Sequence, residues 1–299
     1  MSNPAIPDAG NNDSPFPIES RMRIEIRQIG IPPRPSILAE IDREFSKDEP
    51  DFNRLAKSIG SDVGLSGALI KTTNSPYYGF NKKVRTVSES LLVLGLRLIV
   101  QTISGLALQK VFDHTPQMIR FWDASATTAR VSGWLATRLR RRCGVRPEDA
   151  YTFGLFRDCG IPILLIPFPE YRDVLKAAND EVLLPFTDIE DRLISINHAT
   201  VGADLAESWL LPSEIALAIR HHHDLAAMNQ PDMPVIPAVS WAMIAIANLA
   251  EHLVQEGTGR DLTHEWGKVA DQSLKLLGLS NEDLADLERE CVDVLADNE

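Results

Sequence analysis

Residues 198–223, HATVGADLAESWLLPSEIALAIRHHH, show the pattern that decides the fold. Apolar residues recur there at intervals of three and four, so they share one face of a helix. On the first helix this face carries His198 with Val201, Gly202, Leu205 and Trp209. On the second helix it carries Ile215, Ile219 and His222. The stretch therefore predicts two amphipathic helices with histidines on their apolar faces.

The same spacing extends over almost all of the chain, and no sustained alternation of β-branched and aromatic residues appears. The sequence therefore predicts an all-α fold. Five short helices are expected early in the chain, with a break at Gly95 and with caps at Ser36, Asp51, Asp62 and either Thr86 or Ser88. Later helices are expected near 116–142, 148–157, 168–178, 186–195, 198–210, 213–223, 234–256, 266–277 and 281–295.

Three segments are predicted along the chain. Residues 1–20 are rich in Pro, Asn, Asp and Ser and poor in large apolar residues, which favours a flexible tail. Residues 21–113 are predicted to form a small N-terminal helical bundle. Residues 114–299 are predicted to form a second helical subdomain, which includes the C-terminal helices and on which the first bundle packs.

Composition narrows the classes of partner. The 299 residues carry a formal net charge of −12, so nucleic acid and anionic membrane surfaces are repelled on average and are not expected as partners. The three cysteines form no CxxC pair, which disfavours a disulfide framework or a zinc knuckle. The first residues lack the basic and apolar regions of a signal peptide, and no apolar stretch is long enough to span a membrane. A cytoplasmic protein is expected.

Histidines are the most conspicuous chemical feature. His221, His222 and His223 are consecutive, and neutral imidazole is the commonest metal ligand in proteins. His222 lies on the apolar stripe and His223 follows Ile219 by four residues, whereas His221 lies off the stripe. Two interpretations remain open for His198, His222 and His223: hydrogen-bonded core histidines, or ligands of a metal.

A second polar feature is the doublet Arg157 and Asp158, which closes a predicted helix in YTFGLFRDCG. It is either an ion pair or a cap at a helix junction, or part of a site. The chain contains no glycine-rich phosphate loop, no GxSxG elbow and no HExxH motif, which argues against nucleotide kinases, α/β-hydrolases and zinc proteases. Trp122 and Trp209 lie on apolar stripes and are expected in the core.

Several segments together resemble one known family. IGIPPRPSIL (29–38) is similar to a Leu-Pro-x-Leu-Pro opening, and IGSDVGLSGALIKTTNSPYYG (59–79) is similar to a helix that ends in Asn-Ser-x-x-Tyr-Gly. TVSESLLVLGLRLIVQTI (86–103), FWDASATTA (121–129), FGLFRDCG (153–160) and the 196–223 stretch also match. The chain thus resembles the HDOD domain over about residues 25–255. This is a divergent relative of the HD phosphohydrolases and of the HD-GYP cyclic-dinucleotide phosphodiesterases.

The resemblance implies an uneven loss of metal ligands. The first histidine of the enzymes would fall at Ala124, the histidine of the His-Asp doublet at Arg157, and the late aspartate near Asn248. Asp158, His198, His222 and His223 match ligands of the enzymes. Four ligands are enough for one weak metal site but short of the paired-metal clamp that hydrolyses phosphodiesters.

From this resemblance we expect an HDOD fold and a non-enzymatic regulatory module of bacterial signal transduction, which acts by binding a protein or a small ligand. The pocket candidates are Arg157, Asp158, His198, His222 and His223. No metal cofactor is expected, because an Arg157–Asp158 ion pair would take its place; a single divalent ion at the other four residues is the alternative. Two further alternatives stay open: a residual metal-dependent phosphohydrolase, and a sensor of nucleotides or other anions.

Overall fold

The computed structural model describes residues 30–74, 83–112, 116–168, 170–228, 236–260 and 263–296. All regular secondary structure in these ranges is helical, which confirms the predicted all-α fold. The predicted tail at 1–20 and the second half of the 59–79 motif lie outside the described residues. No helix in the described part of the chain combines the length and apolarity that a membrane span needs.

The described residues of the N-terminal part form four helices: α1 Ser36–Phe45, α2 Phe52–Gly60, α3 Val63–Thr73 and α4 Val87–Val111. Three predicted caps are confirmed, since side-chain oxygens of Asp51, Asp62 and Thr86 each accept a hydrogen bond from a backbone N–H of the first turn. The cap predicted at Ser36 is wrong. Pro35 takes the extended conformation of the capping position, so Ser36 becomes the first helical residue. The break at Gly95 is confirmed by a φ of 68° inside α4.

Besides a short 3-10 helix at Leu225–Ala227, eleven further α-helices are described. They are α5 Pro116–Arg138, α6 Arg140–Cys143, α7 Pro147–Phe156, α8 Gly160–Leu164, α9 Tyr171–Asp180, α10 Phe186–Ile194, α11 His198–Ser208, α12 Ser213–Arg220, α13 Ala238–Thr258, α14 Glu265–Leu277 and α15 Asn281–Ala296. The predicted helix 116–142 is divided at Leu139, whose ψ of 10° ends α5. Helix α8 was not predicted, because prolines interrupt its apolar run. Pro162 nevertheless fits, since a backbone N–H in the first helical turn has no intrahelical acceptor.

The core lies where α5 packs against α7 and α13, and α13 against α14. Trp122 and Trp209 are buried as predicted. Helix α4 of the N-terminal part packs on α7, and Gln101 donates a hydrogen bond to Asp149 across this contact, at 2.8 Å. Whether the two parts are separate subdomains with the boundary at 113/114 stays a prediction.

A second connection joins the proline-rich segment before α1 to the end of α11. The Trp209 indole Nε1 donates a hydrogen bond to the Pro32 carbonyl at 3.0 Å. In the opposite direction, Arg34 Nε donates to the Trp209 carbonyl at 2.9 Å. These two bonds hold the segment against the helix that begins at His198.

Candidate functional site

The histidine cluster consists of His198, His222, His223 and Asp158, whose ligand atoms all lie within 4.8 Å of one another. His198 is the first residue of α11, and His222 and His223 follow the end of α12. Asp158 lies in the turn between α7 and α8. Four of the five predicted pocket residues therefore meet at one point, although up to 65 positions separate them in the sequence.

Nitrogen atoms meet at the centre of the cluster. His198 Nε2 lies 3.2 Å from His222 Nε2 and 3.3 Å from His223 Nε2. Asp158 Oδ1 lies 3.4 Å from His222 Nε2 and 3.6 Å from His198 Nε2. His221 is directed elsewhere, with its Nδ1 2.8 Å from Asp224 Oδ2, as its position off the apolar stripe predicts.

The other ring nitrogen of each clustered histidine is held by an acceptor. His198 Nδ1 contacts Glu190 Oε2 at 2.7 Å, and His223 Nδ1 contacts Glu265 Oε2 at 3.0 Å. His222 Nδ1 contacts the Ile219 carbonyl at 2.7 Å. Since a carbonyl or an ionised carboxylate can only accept, each Nδ1 carries the proton and donates. In the neutral tautomer each Nε2 therefore presents its lone pair to the centre.

Arg157, the fifth predicted residue, borders the cluster on the other side of Asp158. Its Nε donates to Asp158 Oδ2 at 3.0 Å, and its Nη2 lies 2.7 Å from Glu251 Oε2. Its side chain is only 9% exposed, so the guanidinium is held by two carboxylates away from most water. The two oxygens of Asp158 thus face different groups: Oδ1 faces the imidazoles and Oδ2 faces the guanidinium.

The buried charged groups of the site shift one another's pKa values. Burial favours the neutral form of Asp158, but the charge of Arg157 and the adjacent imidazoles of His198 and His222 outweigh it and hold the pKa of that carboxyl well below its usual range. Burial also opposes protonation of His198, yet the charges of Glu190 and Asp158 prevail and raise its pKa. Burial lowers the pKa of His222, and the neighbouring imidazoles lower it further. The site therefore holds a proton on His198 in preference to His222.

Glu190 and Glu265 form the outer layer of the site. Glu190 is fully buried, and it also accepts a short hydrogen bond from the Tyr171 hydroxyl. Burial favours the neutral form of Glu265, but His223 and Lys268 outweigh it and lower the pKa of that carboxyl to about 2. Cys159, next to Asp158, is buried, which raises the pKa of its thiol and makes it a poor nucleophile.

Close backbone contact fixes where His198 lies. Gly160, the first residue of α8, approaches α11 so closely that an added Cβ would lie 2.0 Å from the His198 carbonyl oxygen and 2.9 Å from the Gly202 nitrogen. Only glycine fits at this contact. The contact therefore sets the position of the first histidine relative to the turn that carries Asp158.

The cluster opens into a cavity of about 380 Å³. Side chains of the predicted pocket line one part of it, namely Arg157, Asp158, His198 and His223. Ala124, where the resemblance places a lost histidine, also lines the cavity. Other polar lining residues are Gln117, Arg120, Asn179, Glu251, Thr263 and Glu265.

Three carboxylates of the site are absent from the predicted set: Glu190, Glu251 and Glu265. The acid that α13 contributes is Glu251, three residues after the predicted position Asn248. A signal for Glu190 does exist, because it follows Phe186 by four residues and so shares its apolar helix face. An ionisable residue on such a face is rarely buried without a partner. Glu265 carries no comparable signal, since its contact with His223 spans 42 positions.

Known proteins resemble this chain in sequence or in fold. An uncharacterized protein of Treponema pallidum (strain Nichols) is 28% identical to this chain over 251 residues, a match that covers 82% of the chain. The chain spans about half the length of that relative (48%). A structure from Shewanella amazonensis SB2B, provisionally named a metal-dependent phosphohydrolase, has a TM-score of 0.63 at 16% identity and covers 90% of this chain and 93% of its own. One from Marinobacter aquaeolei VT8, provisionally named a signal transduction protein, has a TM-score of 0.62 at 22% identity, with coverages of 93% and 63%.

The two structural neighbours bear different functional names, and identities this low establish the fold alone. Family membership comes from the sequence instead. The HDOD domain family matches residues 31–225, which is well over half of the chain and includes every residue of the histidine cluster. The chain therefore belongs to the HDOD domain family.

Proposed function

We propose that this chain is a non-enzymatic regulatory module of bacterial signal transduction, which acts in the cytoplasm by binding a protein partner or a small ligand. The observation that carries the proposal is the position of Arg157. Its guanidinium lies between Asp158 and Glu251, next to the histidine cluster. Membership of the HDOD family and the signal-transduction name of the Marinobacter neighbour support the same role.

Hydrolysis of a phosphodiester at paired metals requires two ions about 3.5–4 Å apart, which clamp the attacking and leaving oxygens. Asp158 is the one carboxylate among the four convergent ligand residues. Its Oδ2 is already bound by Arg157, a group that stays protonated at any physiological pH. Asp158 Oδ1 faces the histidines and could bind one cation, whereas Oδ2 already holds a permanent positive charge, which disfavours a second metal ion at that oxygen.

The site has the size and the polar groups to bind a small ligand. The cavity is large enough for a small ligand, and Arg120 and Arg157 give it cationic groups that suit an anion or a nucleotide phosphate. Glu251 and Glu265 in the same lining oppose a highly charged anion. The net charge of −12 favours protein or small-molecule partners over nucleic acid and membranes.

The competing function is residual metal-dependent hydrolysis by Asp158, His198, His222 and His223. The convergence of their four ligand atoms favours it, as does the name of the Shewanella neighbour. One experiment separates the two functions. Turnover of cyclic dinucleotides and of a generic phosphodiester is measured with Mn²⁺, Fe²⁺ or Zn²⁺ added in turn.

The matched variants are His222→Ala, inside the cluster, and His221→Ala, which changes the adjacent imidazole outside it. We expect no turnover above background, and hence no difference among wild type and the two variants. Metal-dependent turnover that survives in His221→Ala and disappears in His222→Ala would establish the enzyme and reject the regulatory proposal.

A further inference from the structure

The histidine cluster has more negative charge around it than its paired cations balance. Four carboxylates contact the clustered residues or Arg157, namely Asp158, Glu190, Glu251 and Glu265. The cations paired with them are Arg157 and Lys268. Among the described residues, two negative charges remain once all three imidazoles are neutral, which is the form that binds a metal; the side chains there are between 0% and 25% exposed. A divalent cation would balance them.

The nitrogen geometry matches a metal site. Two nitrogen ligands at about 2.0–2.1 Å from a tetrahedral ion are separated by about 3.4 Å. The Nε2 atom of His198 lies 3.2 Å from that of His222 and 3.3 Å from that of His223. Asp158 Oδ1 lies 3.4 and 3.6 Å from two of these nitrogens. Four of the six distances between the ligand atoms are therefore close to those of a tetrahedral site, and all six lie within 4.8 Å.

The outer hydrogen bonds also have the form that a metal site needs. A histidine ligand normally donates its other ring N–H to a carboxylate or a backbone carbonyl, which orients the ring and raises its basicity. Glu190, the Ile219 carbonyl and Glu265 do this for the three imidazoles. Because these acceptors hold the Nδ1 protons, the imidazoles in their neutral form direct all three Nε2 lone pairs to one point.

We infer that Asp158, His198, His222 and His223 bind one divalent first-row transition-metal ion, with Glu190 and Glu265 as positioning residues. Three imidazoles and one carboxylate favour Zn²⁺, Fe²⁺ or Co²⁺ over Mg²⁺ and Ca²⁺, which prefer all-oxygen sites. Arg157 limits the number of ions to one. The inference goes beyond the proposed function, because a single ion can orient helices or hold a ligand in a chain that hydrolyses nothing.

The test is metal content and affinity, with no assay of turnover. The purified full chain is stripped with a chelator, reloaded separately with Zn²⁺, Fe²⁺ and Co²⁺, freed of excess ion and analysed by mass spectrometry of the elements. Co²⁺ absorption spectra report the coordination directly. We expect close to one ion per chain for wild type and for His221→Ala, which is the matched control because its imidazole contacts Asp224 outside the cluster.

His222→Ala is expected to lower the affinity at least 100-fold. Glu190→Gln, which keeps every ligand, is expected to lower it by about 10–100-fold. His223→Gln serves as the second ligand variant if circular dichroism shows that His222→Ala does not fold. A stoichiometry near zero with all three ions, a stoichiometry near two, or ligand variants that bind as tightly as wild type would each overturn the inference. The proposed function would stand or fall separately, on turnover.

Discussion

Gly160→Ala tests whether the contact between α8 and α11 fixes the site. The added methyl group would lie 2.0 Å from the His198 carbonyl oxygen, 2.8 Å from the His198 carbonyl carbon and 2.9 Å from the Gly202 nitrogen. Ordinary contact begins near 3.4 Å, so the two backbones would have to separate by roughly 1.4 Å. All three obstructing atoms are backbone atoms, and they cannot move aside as the end of a flexible side chain can.

Overpacking of a core typically costs about 1–3 kcal/mol, and we expect the upper end here because a helix must shift. The expected loss is therefore about 3 kcal/mol in the free energy of unfolding, measured by urea denaturation followed by circular dichroism. The same displacement moves His198 away from the turn of Asp158, so metal affinity should fall together with stability.

Gly67→Ala is the matched control. Gly67 lies inside α3, and an added Cβ would meet no atom within 4 Å. Because alanine is a better helix former than glycine, this variant should gain up to about 1 kcal/mol. If the free energy of unfolding of Gly160→Ala lies within about 0.5 kcal/mol of the wild-type value, as expected at an unconstrained surface position, the contact between α8 and α11 does not fix the position of His198.

Two further predictions concern charge and the proline-rich segment. Glu265 has a pKa lowered to about 2, so its stabilising charge is fully present above its ordinary pKa of 4.5 and is lost as the pH falls towards 2. One pKa unit corresponds to about 1.4 kcal/mol, so the free energy by which metal-free wild type is more stable than Glu265→Gln should decrease by about 2 kcal/mol between pH 6 and pH 3. A difference that does not change with pH would contradict this. Trp209→Phe removes the hydrogen bond to the Pro32 carbonyl and should cost about 1–2 kcal/mol in urea denaturation; unchanged stability would show that the bond contributes nothing.

Much of the fold could be predicted because its signals are local. The apolar spacing in 198–223 and the side-chain caps at Asp51, Asp62 and Thr86 each depend on residues only a few positions apart. The reason that helix α8 was not predicted is also local, since a proline such as Pro162 normally argues against a helix. Its position in the first turn removes the objection, and sequence alone does not show where that turn begins.

The site could be predicted only in part. Tandem histidines on an apolar face are visible in the sequence, and so is the Arg157–Asp158 doublet. What holds the histidines in place is visible only in three dimensions, because Glu251 and Glu265 reach the site from helices far along the chain. The choice between core histidines and ligands therefore depends on hydrogen-bond partners that no sequence spacing reveals.

The Arg157 guanidinium differs from a metal ion in being attached to the chain by covalent bonds. No chelator, dilution or physiological change of pH can remove it from the Asp158 carboxylate. The positive charge that Arg157 places beside Asp158 therefore does not depend on the surrounding medium. Only the charge on the side of His198, His222 and His223 can change with the ions and protons that the medium supplies.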